Sequence, residues 1–134
     1  MLMEAIAIKT RSRNEFVDIT REIARAVEKS GVREGFCLVY VPHTTAGVTI
    51  NEGADPDVVR DILRHLEELV PAGKKYLHTE GNSDAHVKST LVGASQVIPV
   101  TGGKLALGTW QAVFFCEFDG PRSRQVLVGV LPAG

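Results

Sequence analysis

The stretch YLHTEGNSDAHVKST, residues 76–90, holds two of the chain's four histidines. His78 and His86 bracket Asp84 in the order His-x5-Asp-x-His, and Gly81 and Asn82 between them are residue types that let a chain double back. Neutral imidazole and carboxylate together suit Zn2+, Mn2+ or Fe2+, and three protein ligands with one open position is the usual catalytic arrangement. The spacing matches none of the compact metal signatures such as His-Glu-x-x-His. The same residues also describe a solvated loop in which His86 opens a helix.

Other chemistry-bearing groups sit in short polar clusters at the ends of apolar runs. In GPRSRQV, Arg122 and Arg124 alternate along a strand start, so both guanidiniums can face one side and grip a phosphate or carboxylate. Lys88, Ser89 and Thr90 follow His86 near the start of a possible short helix, where backbone N–H groups favour anions. A cation beside an anion-binding patch is what phosphate-ester chemistry uses. In NEGADPD, Asp55 reads as a helix cap, while Glu52 stands between capping and general-base chemistry. His43 follows a strand and Pro42 and, taken alone, is a turn residue. His65 lies among charged neighbours on a helix flank and reads as a surface residue. Trp110, the only tryptophan, sits in the turn GTWQ and reads first as a core or interface anchor, then as a substrate platform.

The elements that must position these groups follow from periodicity. Eight short apolar runs read as strands: EAIAIKT, EFVDI, FCLVYVP, AGVTIN, SQVIPV, KLALG, WQAVFFCEF and RQVLVGVL. Cys37 and Cys116 lie mid-run in two of them and read as buried free thiols. TREIARAVEKSG reads as a helix with Ile23, Ala26 and Val27 on one face, Asp18 or Thr20 capping its start and Gly31 following its end. DPDVVRDILRHLEELV reads as a second, with Pro56 in the first turn and a stripe of Val58, Ile62, Leu66 and Leu69. Many strands with few helices predict an α+β sandwich or open barrel. The four polar clusters PHTTAG, NEGADP, HTEGNSDAH and DGPRSR are expected to converge at one rim.

Length and composition place the whole chain, residues 1–134, in one domain. A net charge of −1 argues against a nucleic-acid partner. No apolar run approaches the length of a membrane span, and residues 1–13 lack the pattern of a signal peptide, so the expected address is cytoplasmic.

The segments HTTAGVTINE, DAHVKSTLVGASQVIPV and KLALGTWQAVFFCEFDGPRSRQV, in that order, resemble the YjbQ family of small bacterial and archaeal proteins. The resemblance runs from EFVDIT onward and implies a compact mixed β-sandwich with two main helices packed outside, assembled as a homotrimer with clefts between subunits. It implies a weak thiamine-phosphate synthase activity, in which hydroxymethylpyrimidine diphosphate loses pyrophosphate and is captured by thiazole phosphate. The family's recurring polar residues match His43, Thr44, Asn51, Glu52, His78, Asp84, His86, Lys88, Ser89, Trp110, Gln111, Arg122 and Arg124. That match adds His43 to His78 and His86 as metal ligands, with Asp84 as a fourth ligand or a supporting partner. The implied cofactor is a divalent ion, Zn2+ first, with Mg2+ or Mn2+ as alternatives. Glu52, Asp84, Lys88, Arg122 and Arg124 would then be catalytic, and Thr44, Asn51, Ser89, Trp110 and Gln111 would bind substrate.

Two positions depart from the family pattern. Gly47 stands where a larger residue is common, which would widen the pocket floor, and Thr79 stands where an acid often follows the first loop histidine. The leading expectation is an enzyme acting on a phosphorylated small molecule. A metal-dependent hydrolase of a phosphate or other ester and a non-catalytic trimer binding a metal or anion are the alternatives.

Overall fold

The computed structural model describes residues 3–73 and 75–134. Each of the eight apolar runs forms a strand: β1 (Glu4–Lys9), β2 (Glu15–Asp18), β3 (Gly35–Tyr40), β4 (Ala46–Glu52), β5 (Ser95–Thr101), β6 (Lys104–Leu105), β7 (Gln111–Glu117) and β8 (Ser123–Pro132). Three helices interrupt them: α1 (Thr20–Ser30), α2 (Pro56–Leu69) and α3 (Ser83–Val92). The strands make two sheets, a five-stranded one in the order β1-β8-β3-β5-β6 and a three-stranded one in the order β2-β7-β4. Every strand pair is antiparallel.

Alternation within the strands builds the layers. Cys37, Val39, Ile98, Val100, Val126 and Val128 of the large sheet meet Val48, Val113 and Phe115 of the small one, and α1 adds Ile23, Ala26 and Val27 to the same core. The other side of the small sheet, Ala112, Phe114 and Cys116, packs against Val59 and Leu66 of α2 and Ala85 and Val92 of α3. Buried on both faces, β7 reads as the continuous apolar run AVFFC. Both cysteines are free and buried, and burial pushes the Cys37 thiol up to about 11.

The helix ends follow the predicted chemistry. The Asp18 carboxylate accepts the Thr20 N–H and hydroxyl at the start of α1, and Gly31 closes it in the left-handed region at φ 72°. Asp55 accepts the Asp57 N–H at 2.9 Å and Pro56 opens α2. The stripe on α2 differs from the predicted one. Val59 and Leu66 reach the core, whereas Leu69 is 60% exposed.

Helix α3 is the element that hydrophobic patterning does not reveal. Its inward side carries Asp84 and Lys88 beside Ala85, so charges occupy places where an apolar stripe would announce a helix. Gly47 is also placed otherwise than expected. A Cβ there would meet the Gly93 carbonyl oxygen at 2.6 Å and Val92 Cγ1 at 3.1 Å, so the missing side chain admits the end of α3 and widens no pocket.

Among the described residues no helix covers the outward side of the large sheet. Phe36 and Tyr40 of β3, Val97 of β5 and Leu131 of β8 stand exposed there. Among the described residues no helix is long and apolar enough to cross a membrane.

Candidate functional site

The chain enters α3 through Gly81, whose φ of 82° lies in the left-handed region. That turn brings His86, in the first turns of α3, back against His78. Their ring centroids lie 5.3 Å apart with the planes at 81°. Glu80, an acid that sequence reasoning does not single out, places a carboxylate oxygen 3.6 Å from His78 Nε2. It supplies nearby the negative charge that Thr79 lacks.

Asp84 turns the other way. Arg13 donates from Nη1 and Nη2 to its two oxygens at 2.8 and 2.9 Å, and Lys88, one helical turn on, reaches it at 3.4 Å. Lys88 is 1% exposed and also donates to Glu67 and, at 3.4 Å, to Asn14 Oδ1. Two acids thus face two bases, the pairing that a buried charge requires. The Arg13 hydrogen bonds hold the Asp84 carboxyl below its usual range against the opposing effect of burial. For Glu67, burial pushes upward, but the Lys88 hydrogen bond and the Ala72 N–H outweigh it and the net shift is down. Asp84 therefore braces α3, with both of its oxygens engaged by Arg13 and one also by Lys88. Lys88 is sealed from solvent, not waiting for an anion at a helix start.

A second network lies where β7 ends and β8 begins. Glu117, 0% exposed, accepts the Thr10 hydroxyl at 2.7 Å and Arg124 Nε at 2.8 Å on one oxygen. Its other oxygen accepts Arg124 Nη2 and the N–H groups of Phe118 and Asp119 at 3.1 and 3.0 Å. Arg124 Nη2 also donates to Thr45 Oγ1 at 2.8 Å. Burial alone would raise the Glu117 carboxyl, but Arg124 and the other donors bring it below its usual value. Arg122 folds onto Asp119, donating to its carbonyl at 2.7 Å and its carboxylate at 3.0 Å. The expected two-arginine anion grip is therefore not formed, since each guanidinium is held by its own acid. A lone glutamate in the run VFFCEF was the available signal, because such a residue is rarely buried without a partner.

His43 packs edge-on against Phe115, ring centroids 6.4 Å apart, and its Nε2 lies 3.1 Å from the Gln125 nitrogen and 3.2 Å from the Gln125 carbonyl oxygen. Burial, and then the charge of Arg124, lower its pKa. Its Nε2 is thus turned to the Gln125 backbone. Among the described residues no three His, Cys, Asp or Glu side chains gather closely enough to hold an ion, so His43, His78 and His86 do not form one set within a chain. Ser89 donates to the Ala46 carbonyl at 2.6 Å, and Thr44 is exposed. His65, also exposed, lies 3.5 Å from Glu68, as a surface residue should.

The remaining candidates lie at the opposite end of the small sheet. Ala46 pairs with Glu117 at one end of the β4–β7 ladder and Glu52 with Gln111 at the other, about 20 Å away at ~3.3 Å per residue. There Glu52 accepts the Ala54 N–H at 2.8 Å, Asn51 Oδ1 accepts the Glu52 N–H, and Gln111 Oε1 accepts the Gly108 N–H at 2.8 Å. These three side chains close turns. Trp110 is 65% exposed beside them. The polar clusters thus divide between two ends of one chain instead of meeting at a single rim.

A cavity of about 240 Å3, lined in part by Lys75, His78, Thr79 and Ser83, opens next to the histidine pair. Larger hollows of about 590 and 540 Å3 flank α1, away from the paired histidines, and bring no comparable set of reactive groups together.

Residues 4–133 match the family model described as UPF0047 protein YjbQ-like. A UPF0047 protein of Methanocaldococcus jannaschii is 55% identical over 92% of this chain and 90% of its own length. The UPF0047 protein YugU of Bacillus subtilis is 49% identical over 97% and 99%. A crystal structure of a YjbQ/UPF0047 family protein from Clostridium acetobutylicum superposes with a TM-score of 0.94 at 52% identity, covering 96% of this chain and 99% of that one. A hypothetical protein from Aeropyrum pernix also gives 0.94, at 40% identity over 99% and 100%.

Proposed function

The chain belongs to the YjbQ-like UPF0047 family, and on that footing we propose that it is a divalent-metal-dependent enzyme acting on phosphorylated small molecules. The observation that carries this reading is the meeting of His78 and His86 across the Gly81 turn. The two imidazoles are donors of the kind that Zn2+ or Mn2+ takes, and the Glu80 carboxylate, 3.6 Å from His78, adds negative charge beside them. With fewer than four protein ligands, water or substrate completes the shell. A bound ion would supply Lewis acidity toward a phosphoryl oxygen. The chain's own residues do the rest. Arg13 and Lys88 fix Asp84, and with it the start of α3, while Glu117 and Arg124 fix the neighbouring β7–β8 turn.

The specific reaction we assign, weakly catalysed, is condensation of hydroxymethylpyrimidine diphosphate with thiazole phosphate, releasing pyrophosphate. Trp110 stands about 20 Å along the ladder from this end of its own chain, so any stacking role it plays is toward a second copy's site. Self-association through the bare side of the large sheet fits that need. Phe36, Tyr40, Val97 and Leu131 form an apolar surface that a partner would cover, and a homotrimer is the assembly we propose.

A non-catalytic metal- or anion-binding trimer is the second reading. It is favoured by the internal pairing of Lys88, Arg122 and Arg124 and the turn-closing role of Glu52. Turnover of the two phosphorylated substrates by chelator-treated and metal-reloaded protein separates the readings. Activity that returns with metal supports the enzyme, and saturable binding without turnover supports the binder.

A further inference from the structure

We propose that the cavity between α1 and the β5–β6 hairpin binds a small amphiphilic anion, its apolar body inside and its carboxylate or phosphate held by Arg33 and Lys104. The inference goes beyond the enzyme reading, because no residue of this wall belongs to the metal or synthase machinery assigned above.

The wall is fixed by the chain's own turn chemistry. Strands β5 and β6 pair at Thr101 and Lys104, leaving Gly102 and Gly103 as a two-residue hairpin turn. Both glycines have positive φ, 59° and 78°, the conformation that such a turn favours. The Gly103 N–H donates to the Arg33 carbonyl at 2.9 Å and the Gly102 N–H to Glu34 Oε1 at 3.0 Å, so the hairpin is tied back onto the segment that follows α1. Arg33 and Lys104 are thereby brought to one cavity. A Cβ on Gly103 would lie 3.5 Å from Arg33 Nη1, which places the guanidinium against this turn.

The cavity measures about 590 Å3, inside the roughly 300–1,000 Å3 of small-molecule sites. Val27 of α1 lines it, as do Leu105 and Leu107 beyond the turn. Val27 belongs to the main core and the two leucines pack against it, so the apolar part of the wall is anchored. Such a surface takes an aliphatic or aromatic group out of water.

The charges supply the rest of the recognition. Arg33 and Lys104 are the cations on the wall and Glu28 the one acid, which leaves it net positive. Neither cation makes an ion pair among the described residues. Arg13, Lys88, Arg122 and Arg124, by contrast, are each held by an acid of their own. Glu34, next in the chain to Arg33, already accepts the Gly102 N–H. Arg33 and Lys104 therefore stand ready for an external anion, and a guanidinium can take a carboxylate or phosphate through two N–H donors. The wall carries no histidine or cysteine, so the role assigned to it is binding, not catalysis.

Octanoate and octyl phosphate are the probes and octanol the uncharged control, each titrated into the intact protein and followed by 15N–1H amide shifts. Both anions are expected to bind saturably, with the Arg33, Gly103 and Leu105 amides moving most, and the tighter of the two identifies the head group. Octanol should bind at least about tenfold more weakly, for want of hydrogen bonds to a charged group. Arg33→Ala/Lys104→Ala should weaken both anions by about that factor and leave octanol unchanged, and since both side chains are exposed the fold should survive. Ala24→Trp, at an exposed position of α1 on the same wall, should block all three by filling the cavity. His78→Ala/His86→Ala should bind the anions as wild type does, which separates this site from the metal reading. Unmoved Arg33, Gly103 and Leu105 amides, shifts gathered instead on Phe36, Tyr40, Val97 and Leu131, or octanol binding as tightly as the anions would overturn the proposal.

Discussion

Arg124 and Glu117 form a closed pair: the guanidinium reaches both oxygens of a carboxylate that is 0% exposed, and is itself 7% exposed. Arg124, expected from the sequence to be half of an anion grip, is thereby framework, tying β7 to the start of β8 beside His43.

Breaking that pair on one side should cost much more than altering both. Glu117→Ala leaves a buried guanidinium uncompensated, an effect of about 3–5 kcal/mol, and Arg124→Ala should cost a similar amount. Urea unfolding of the two single variants and the double variant measures the coupling. Single losses that simply add would show that the two side chains do not depend on each other.

Acid should unfold the protein through its paired carboxylates. Asp84, Glu67 and Glu117 all have folded pKa values below their unfolded ones. Their contributions are present above the unfolded carboxylate range of about 4 and are lost as pH falls through the folded values. His43 acts in the same direction at higher pH: its pKa is lowered, so stability declines as pH falls from the unfolded value of about 6.5 toward the folded one. Thermal midpoints between pH 7 and pH 2 should therefore fall in two stages, and His43→Gln should remove the upper one.

Gly47→Ala should destabilise by about 1–3 kcal/mol, since a methyl group there overlaps the Gly93 carbonyl and crowds Val92. Unchanged denaturant midpoints would mean that the α3–β4 contact yields freely.

The bare side of the large sheet should set the assembly. Val97→Lys with Leu131→Lys places two charges on it without touching the core. Light scattering is expected to report a trimer for wild type and a monomer for this variant. An intact trimer would move the interface elsewhere.

The strands were legible because each of the eight runs carries β-rich residues between polar turns, and the caps at Asp55 and Gly31 were legible because their chemistry is local. The folding-back of His78 onto His86 was legible for the same reason, through Gly81. What sequence alone hid was long-range pairing. Arg13 meets Asp84 71 positions away, and Thr10 meets Glu117 107 positions away, so no local pattern reveals that Arg124 and Lys88 are already paired within the fold. Helix α3 was legible only as a possible short helix near His86, and its true start at Ser83 was not, because that same pairing puts charges on its inner side.

The sharpest experiment is the metal content of purified wild type and of His78→Ala/His86→Ala protein, measured by elemental analysis after reconstitution, with oligomeric state monitored in both. Stoichiometric Zn2+ or Mn2+ is expected in wild type, and none in a double variant that keeps its assembly. A wild type that takes up no metal, or a double variant that retains it, would refute metal binding by His78 and His86 and leave the two imidazoles as a packed pair beside a polar turn.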